Sequence, residues 1–279
     1  MTDEGQTAPT EDRAEGRMSF FDHLAELRKR IIWSLVPTLI GLIVCFRFSD
    51  RILLFMRQPL EKMDVKLVAL TPTEAFWTSM KLSMIAGVFV AMPVILWQVW
   101  AFVSPGLHKH ERRFAIPFVL IGSLLFVGGA AFALLVVVPF AIQFLLNFGK
   151  EQGIQPMISV SSHVDFVIKF TLAFGLVFEL PLALTLLSLM GLVTPAFLNK
   201  NRKYAVLINF IIAAVLTPTP DIFNQCLMAG PLCLLYEIGI LSAWIFGRRK
   251  PKKEAEPAPA DAGGSDGPPT STTETPASS

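Results

Sequence analysis

The sequence predicts an all-α, polytopic membrane protein with six transmembrane helices, and three observations predict it. Hydrophobic residues make up 53% of the 279 and charged ones only 16%, with a mean hydropathy of +0.55, a balance that a water-soluble core of this size does not require. Several apolar runs reach the roughly 20 residues that carry a helix across about 30 Å of hydrocarbon, where a barrel would show alternating strands of about ten. The basic residues form short clusters at the ends of those runs, as topogenic signals do. A net charge of +2 without one continuous basic patch argues against nucleic acid.

The elements follow in order. Residues 1–17 are rich in Thr, Glu, Asp and Gly, and residues 248–279 run from a basic start into Pro, Ala, Gly, Ser and Thr. Neither stretch can bury enough apolar surface to fold, so both read as disordered cytoplasmic tails around a membrane domain over 18–247. Phe20, Phe21, Leu24, Leu27 and Ile31 recur at helical spacing with Asp22, Glu26 and Arg30 between them, the pattern of an amphipathic interfacial helix. No small-residue cleavage site follows the first apolar run, so no cleaved leader is expected. Spans are expected over 31–48, 76–103, 114–148, 166–192, 204–216 and 222–246. Thr71-Pro72-Thr73-Glu74 reads as a helix start, with Thr as cap, Pro in the first position and Glu three residues on. Thr219-Pro220-Asp221 opens the sixth span in the same way. Pro195 and Pro251 follow other spans, where a helix cannot continue. Pro93, Pro117, Pro139, Pro181 and Pro231 lie inside apolar runs, and kinks are expected at some of them.

The fifth run has 13 residues and at 1.5 Å each reaches only about 20 Å. Charge decides that it crosses. Arg17, Arg28, Lys29 and Arg30, then Lys109, Arg112 and Arg113, then Lys200, Arg202 and Lys203, then Arg248 to Lys253 alternate with a side holding only Arg51, Arg57, Lys62, Lys66 and Lys150. The positive-inside rule puts both termini in the cytoplasm, which requires an even number of spans. The C-terminal pair of spans is expected to be short, thinning the bilayer locally or leaning on partner helices. No internal repeat supports a transporter built from inverted halves.

The chemistry-bearing residues are few. Cys45, Cys226 and Cys233 lie in apolar runs without CxxC spacing and read as packing thiols. His23, His108 and His110 fall on one side and His163 on the other, so they form no metal cluster and read as surface residues. With no HExxH, P-loop or G-x-S-x-G pattern, neither an enzyme nor a cofactor is expected. Glu26 and Glu111 stand out because each is an acid in an otherwise basic cytoplasmic segment. Glu26 could simply pair with Arg30 at i,i+4, and the loop around Glu111 could simply be a charge cluster that sets topology. Together, two carboxylates at one interface could also hold a pair of guanidinium groups through bidentate hydrogen bonds that Lys reproduces poorly. Glu179, in Phe178-Glu179-Leu180-Pro181, lies near the middle of the fourth span, where a charge costs roughly 3 kcal/mol. It reads as facing a polar cavity or a partner helix, or as satisfied locally beside Pro181. Lys81 and Lys169 are close enough to the outer surface to snorkel, while Gln98 and Glu237 are further polar intrusions. With Glu179 and Glu237 as a relay, a proton-coupled small-molecule transporter is the alternative from another class.

The sequence His23-Leu24-Ala25-Glu26-Leu27-Arg28-Lys29-Arg30 and the run Pro93-Val94-Ile95-Leu96-Trp97-Gln98-Val99-Trp100-Ala101-Phe102, leading into Pro105-Gly106-Leu107 and His110-Glu111-Arg112-Arg113, resemble the TatC family. Phe174-Gly175, Phe178-Glu179-Leu180-Pro181, Leu216-Thr217-Pro218-Thr219-Pro220-Asp221 and Glu237-Ile238-Gly239 extend the likeness over about 20–246, in the family's order. The resemblance implies a cup-shaped, six-helix fold in the bacterial inner membrane that binds twin-arginine signal peptides of folded cargo and works by the protonmotive force. It implies receptor positions at Glu26 and Glu111 with Arg28 and Phe102 beside them, a cap-shaping Pro59, a cavity-facing Glu179 and an acidic outer-turn residue at Asp221. It further implies TatA- and TatB-like single-span partners at the last two spans and several copies of the chain in one complex. The outer turn, Thr-Pro-Thr-Pro-Asp, is one residue longer than the Thr-Pro-Pro-Asp of some members, and the Pro-rich tail departs from the family as well.

Overall fold

The helix α1 (Phe20–Phe46) is uninterrupted, so the amphipathic segment and the first span are one element. The structure, a computed structural model, describes residues 20–61, 63, 65, 67–106, 111–153, 157–216 and 222–246, with backbone alone at 20, 21, 59, 106, 111, 112, 223 and 224. The expected tails and Asp221 lie outside the described residues, as do His108 and His110.

α1 packs along α3 (Glu74–Val103). The two backbones touch where Gly41 meets Gly87. A Cβ on Gly87 would lie 2.6 Å from the Leu42 amide nitrogen and 2.9 Å from the Thr38 carbonyl. Such close approach is how membrane helices gain contact when lipid offers no hydrophobic drive to associate.

Between them the first loop holds a helix that the sequence reading did not anticipate, α2 (Ser49–Glu61). Met56 and Leu60, four apart, are buried on its inner face, while Arg57 and Glu61 pair at 3.3 Å outside. After it, β1 (Leu67–Val68) pairs in parallel with β2 (Ile158–Ser159), a two-residue ladder. Beneath this cap Met56 and Leu60 pack with Val137, Val138, Phe170 and Met228 in one apolar cluster. His163, expected at the surface, is instead buried, and its Nε2 lies 3.0 Å from the Met56 carbonyl. One contact thus ties α2 to α6 (Val160–Phe178).

Glu74 holds the same end together. Its Oε2 accepts from the amides of Leu70 (2.6 Å) and Thr71 (3.4 Å), and its Oε1 accepts from Ser161 at 2.6 Å. The expected helix start is therefore shifted, because α3 begins at Glu74 and Thr73 makes no side-chain cap. The Glu still reaches back to orphan amides as a capping box requires. Lys81, expected to snorkel, bonds across to Asp165 of α6 at 2.7 Å.

α4 (Ala115–Phe132) and α5 (Val138–Glu151) form one rod through a π turn at Ala133–Val137. Pro139 stands just beyond that turn. It has no N–H and its ring crowds the carbonyl four residues back, so the ladder shifts register there. Pro181 marks a sharper event, since α6 stops at Phe178, Glu179 forms a turn, and α7 (Leu180–Leu189) resumes. Pro93 and Pro231 lie inside continuous helices. Pro195, expected only to end a helix, opens α8 (Pro195–Lys200), whose first turn is capped by Thr194 Oγ1 accepting from Phe197 at 3.2 Å. Pro is favoured at that first position because its missing N–H would be unpaired in any case.

α9 (Arg202–Leu216) and α10 (Ile222–Phe246) complete the fold, with α10 packed on α7 and α9. Among the described residues, five helices are long and apolar enough to cross a membrane. α9, with 15 residues, is the short element foreseen, but α10 has 25 and is not short. Helical propagation through Pro231 gives it that length. Large apolar side chains stand outward, Ile43, Leu124 and Val215 among them, as they do when the surrounding solvent is lipid.

Candidate functional site

The end of the molecule that carries Glu26 is built from α1 and the last turns of α3. His23, Glu26 and Arg30 recur at i, i+3 and i+7, so one face of α1 presents all three. That face meets Gln98 and Phe102, themselves one turn apart on α3. The His23 ring stacks on Phe102 with centroids 4.3 Å apart. Arg30 Nη2 donates to Glu26 Oε1 at 3.2 Å, and Arg30 Nη1 donates to Gln98 Oε1 at 3.1 Å. The Glu26 side chain is only 17% exposed, and its second oxygen, Oε2, is enclosed without a hydrogen-bond partner, as is Arg30 Nε. The carboxylate is thus held by a single contact and retains unused acceptor capacity.

Arg28 lies elsewhere. Two residues on from Glu26, it is turned about 200° around the helix, where it is exposed and lines a hollow with Ala25, Lys29, Ile32 and Trp33. Glu111 opens a 3-10 turn, Glu111–Phe114, that leads into α4. Trp100 of α3 packs on Phe118 of α4 at 4.8 Å, so this turn is at the same end of the molecule as Glu26 and Phe102. The Glu111 side chain lies outside the described residues, as does that of Pro59, whose backbone is in α2.

Glu179 lies deeper. Its position between α6 and α7 follows from the missing N–H of Pro181 two residues on. Both carboxylate oxygens are buried without a partner. A Cβ on Gly122 of α4 would meet Leu96 Cδ1 at 2.6 Å and Leu182 Cδ2 at 2.7 Å and would lie 3.3 Å from Oε2, so the glycine makes room chiefly for those leucines, with the acid beside them. Glu237, the other carboxylate singled out in a span, is bonded to Arg202 and about half exposed, and it shares no site with Glu179. Groups of three or more metal-ligating side chains are absent among the described residues.

The Arg30–Gln98 bridge was not anticipated. A usable signal existed, since Gln98 is an amide in an apolar run exactly one turn before Phe102.

A family profile described as "Sec-independent protein translocase protein (TatC)" matches residues 22–231. The chain belongs to the TatC family. The TatC of Koribacter versatilis is 41% identical over 252 residues, 88% of this chain and 92% of that protein. The TatC of Carboxydothermus hydrogenoformans is 43% identical over 236 residues, 85% and 96% of the two chains. A solved structure described as the twin-arginine translocase receptor TatC superimposes with a TM-score of 0.70 at 41% identity, covering 80% of this chain and 98% of that one. The chain is therefore a TatC component of a Sec-independent protein translocase and a multi-pass membrane protein.

Proposed function

We propose that Glu26 and Glu111 together receive the Arg-Arg motif of signal peptides on folded cargo. The observation that carries this reading is Glu26 itself, fixed through Arg30 and Gln98 yet with one oxygen unbonded. A guanidinium that offers two parallel N–H groups binds a carboxylate more strongly than the single 3.2 Å contact from Arg30. Because Oε2 is enclosed, binding turns the carboxylate outward and leaves Arg30 on Gln98. Phe102, stacked on His23, forms the apolar floor beside it, and Arg28 on the far face of α1 meets lipid headgroups or another subunit.

On this reading the receptor end is cytoplasmic, both termini are cytoplasmic, and α9 is a sixth crossing of the bacterial inner membrane. The signal's apolar segment then inserts toward Glu179, beneath a cap shaped by Pro59, with Asp221 as the acidic residue of the outer turn. Single-span TatA- and TatB-like subunits dock along α9 and α10, several copies of the chain share one complex, and the protonmotive force drives export. The chain acts as a receptor and recruiter, without a catalytic step or a cofactor. The transporter alternative loses support because Glu237 is tied to Arg202 rather than buried with Glu179.

Titration of the purified chain with a twin-arginine peptide tests the receptor reading. Glu26→Ala and Glu111→Ala should each weaken binding about thirtyfold or more, since truncating one member of a charged pair typically costs about 2–5 kcal/mol. A Lys-Lys peptide should bind as poorly. Unchanged affinity in both variants refutes the assignment.

A further inference from the structure

An apolar groove of about 420 Å³ opens between α4, α7 and α10 at the Glu26 end of the molecule. Phe118, Ile121 and Leu125 line it from α4, Phe114 from the turn before it, and Ile245 and Phe246 from the end of α10. Its two hydroxyls spend their protons within the protein. Thr185 Oγ1 lies 2.6 Å from both the Pro181 carbonyl and Ser242 Oγ, and Ser242 Oγ lies 2.9 Å from the Gly239 carbonyl and 3.2 Å from that of Pro181, so the two protons are shared among these neighbours. At the mouth the Arg113 guanidinium lies 5.3 Å from the centroid of the Phe114 ring, and Arg113 is exposed. In sequence the chain runs on from Phe246 as Gly247-Arg248-Arg249-Lys250.

We propose that this groove binds one acyl chain of an anionic phospholipid whose phosphate is held at Arg113. Length supports an acyl chain, because the eleven residues of α4 from Ala115 to Leu125 rise about 16 Å, roughly half of the ~30 Å hydrocarbon core and so one leaflet. Charge selects the headgroup. A cation at the interface favours an acidic phosphate over a zwitterionic one, and with the orientation proposed above the groove opens to the cytoplasmic leaflet, where anionic lipids are enriched.

Native mass spectrometry of the delipidated full chain, titrated with phosphatidylglycerol and phosphatidylcholine of identical acyl chains, tests the site. The parent should retain phosphatidylglycerol about fivefold better, the worth of one interfacial cation. Arg113→Gln should bring the two lipids level. Ile121→Trp, which fills the groove from an exposed position, should lower retention of both. Equal retention by the parent, or an unchanged preference in Arg113→Gln, overturns the proposal, and Arg113→Gln alone suffices if the Trp variant does not fold. A groove reserved for a partner's helix would leave the parent without specific lipid, which also overturns it. Twin-arginine peptide affinity measured on the same parent preparation keeps failure of the lipid site separate from failure of the receptor reading.

Discussion

Two carboxylates at different depths keep hydrogen-bonding capacity unused in this chain. Glu26 shares one oxygen with Arg30 and keeps the other unbonded, while Glu179 has a donor for neither. A buried polar group without a partner costs about 1–3 kcal/mol, and such a cost persists when a site needs the group for something other than stability. Glu179→Leu, which exchanges the acid for a side chain suited to Leu96 and Leu182, should therefore raise the melting temperature in detergent while export falls. A lowered melting temperature would mean that the carboxylate is bonded. Both acids were legible in the sequence, Glu26 because an acid stands out in a basic segment and Glu179 because any charge is rare inside a span. The bridge from Arg30 to Gln98 and the burial of His163 were not, since each depends on which helix face meets which neighbour, and that is fixed only by packing.

At the scale of elements, the proposed receptor end rests on the fit of α1 against α3. Gly87 is far along α3 from Phe102, yet a methyl there would meet backbone atoms of α1 at 2.6 and 2.9 Å, and backbone cannot turn aside as a side chain can. Overpacking of this kind costs about 1–3 kcal/mol. Gly87→Ala should lower the melting temperature and also weaken twin-arginine peptide binding, by displacing Glu26 and His23 relative to Gln98 and Phe102. Loss of stability with peptide affinity intact would separate the two. The long spans were readable from apolar run length, and the break before Pro181 from the proline itself. α2 was hidden because it hides one apolar face under the cap and shows charges outside, which in sequence reads as loop. The continuity of α1 was missed for a related reason, since a change from amphipathic to wholly apolar pattern signals a change of surroundings and not of conformation.

For the whole molecule, the proposed orientation and sixth crossing rest on the distribution of basic residues and the parity it demands. α9 has 15 residues, too few for an average bilayer without local thinning or partner helices. Single cysteines placed at 194–201 and at 217–221, in a chain freed of Cys45, Cys226 and Cys233, should react with an impermeant reagent from opposite sides of the membrane. Labelling of both sets from one side would reduce the crossings to five and put the C-terminus outside. The central claim, that acids from two separate segments grip one arginine pair, is tested most directly by a twin-arginine signal peptide with a photoreactive residue immediately after the pair. The account predicts that mass mapping of the adducts finds attachment both in residues 23–30 and in residues 102–114, and that a Lys-Lys peptide loses both. Attachment confined to one segment, or concentrated on α9 and α10, would contradict it.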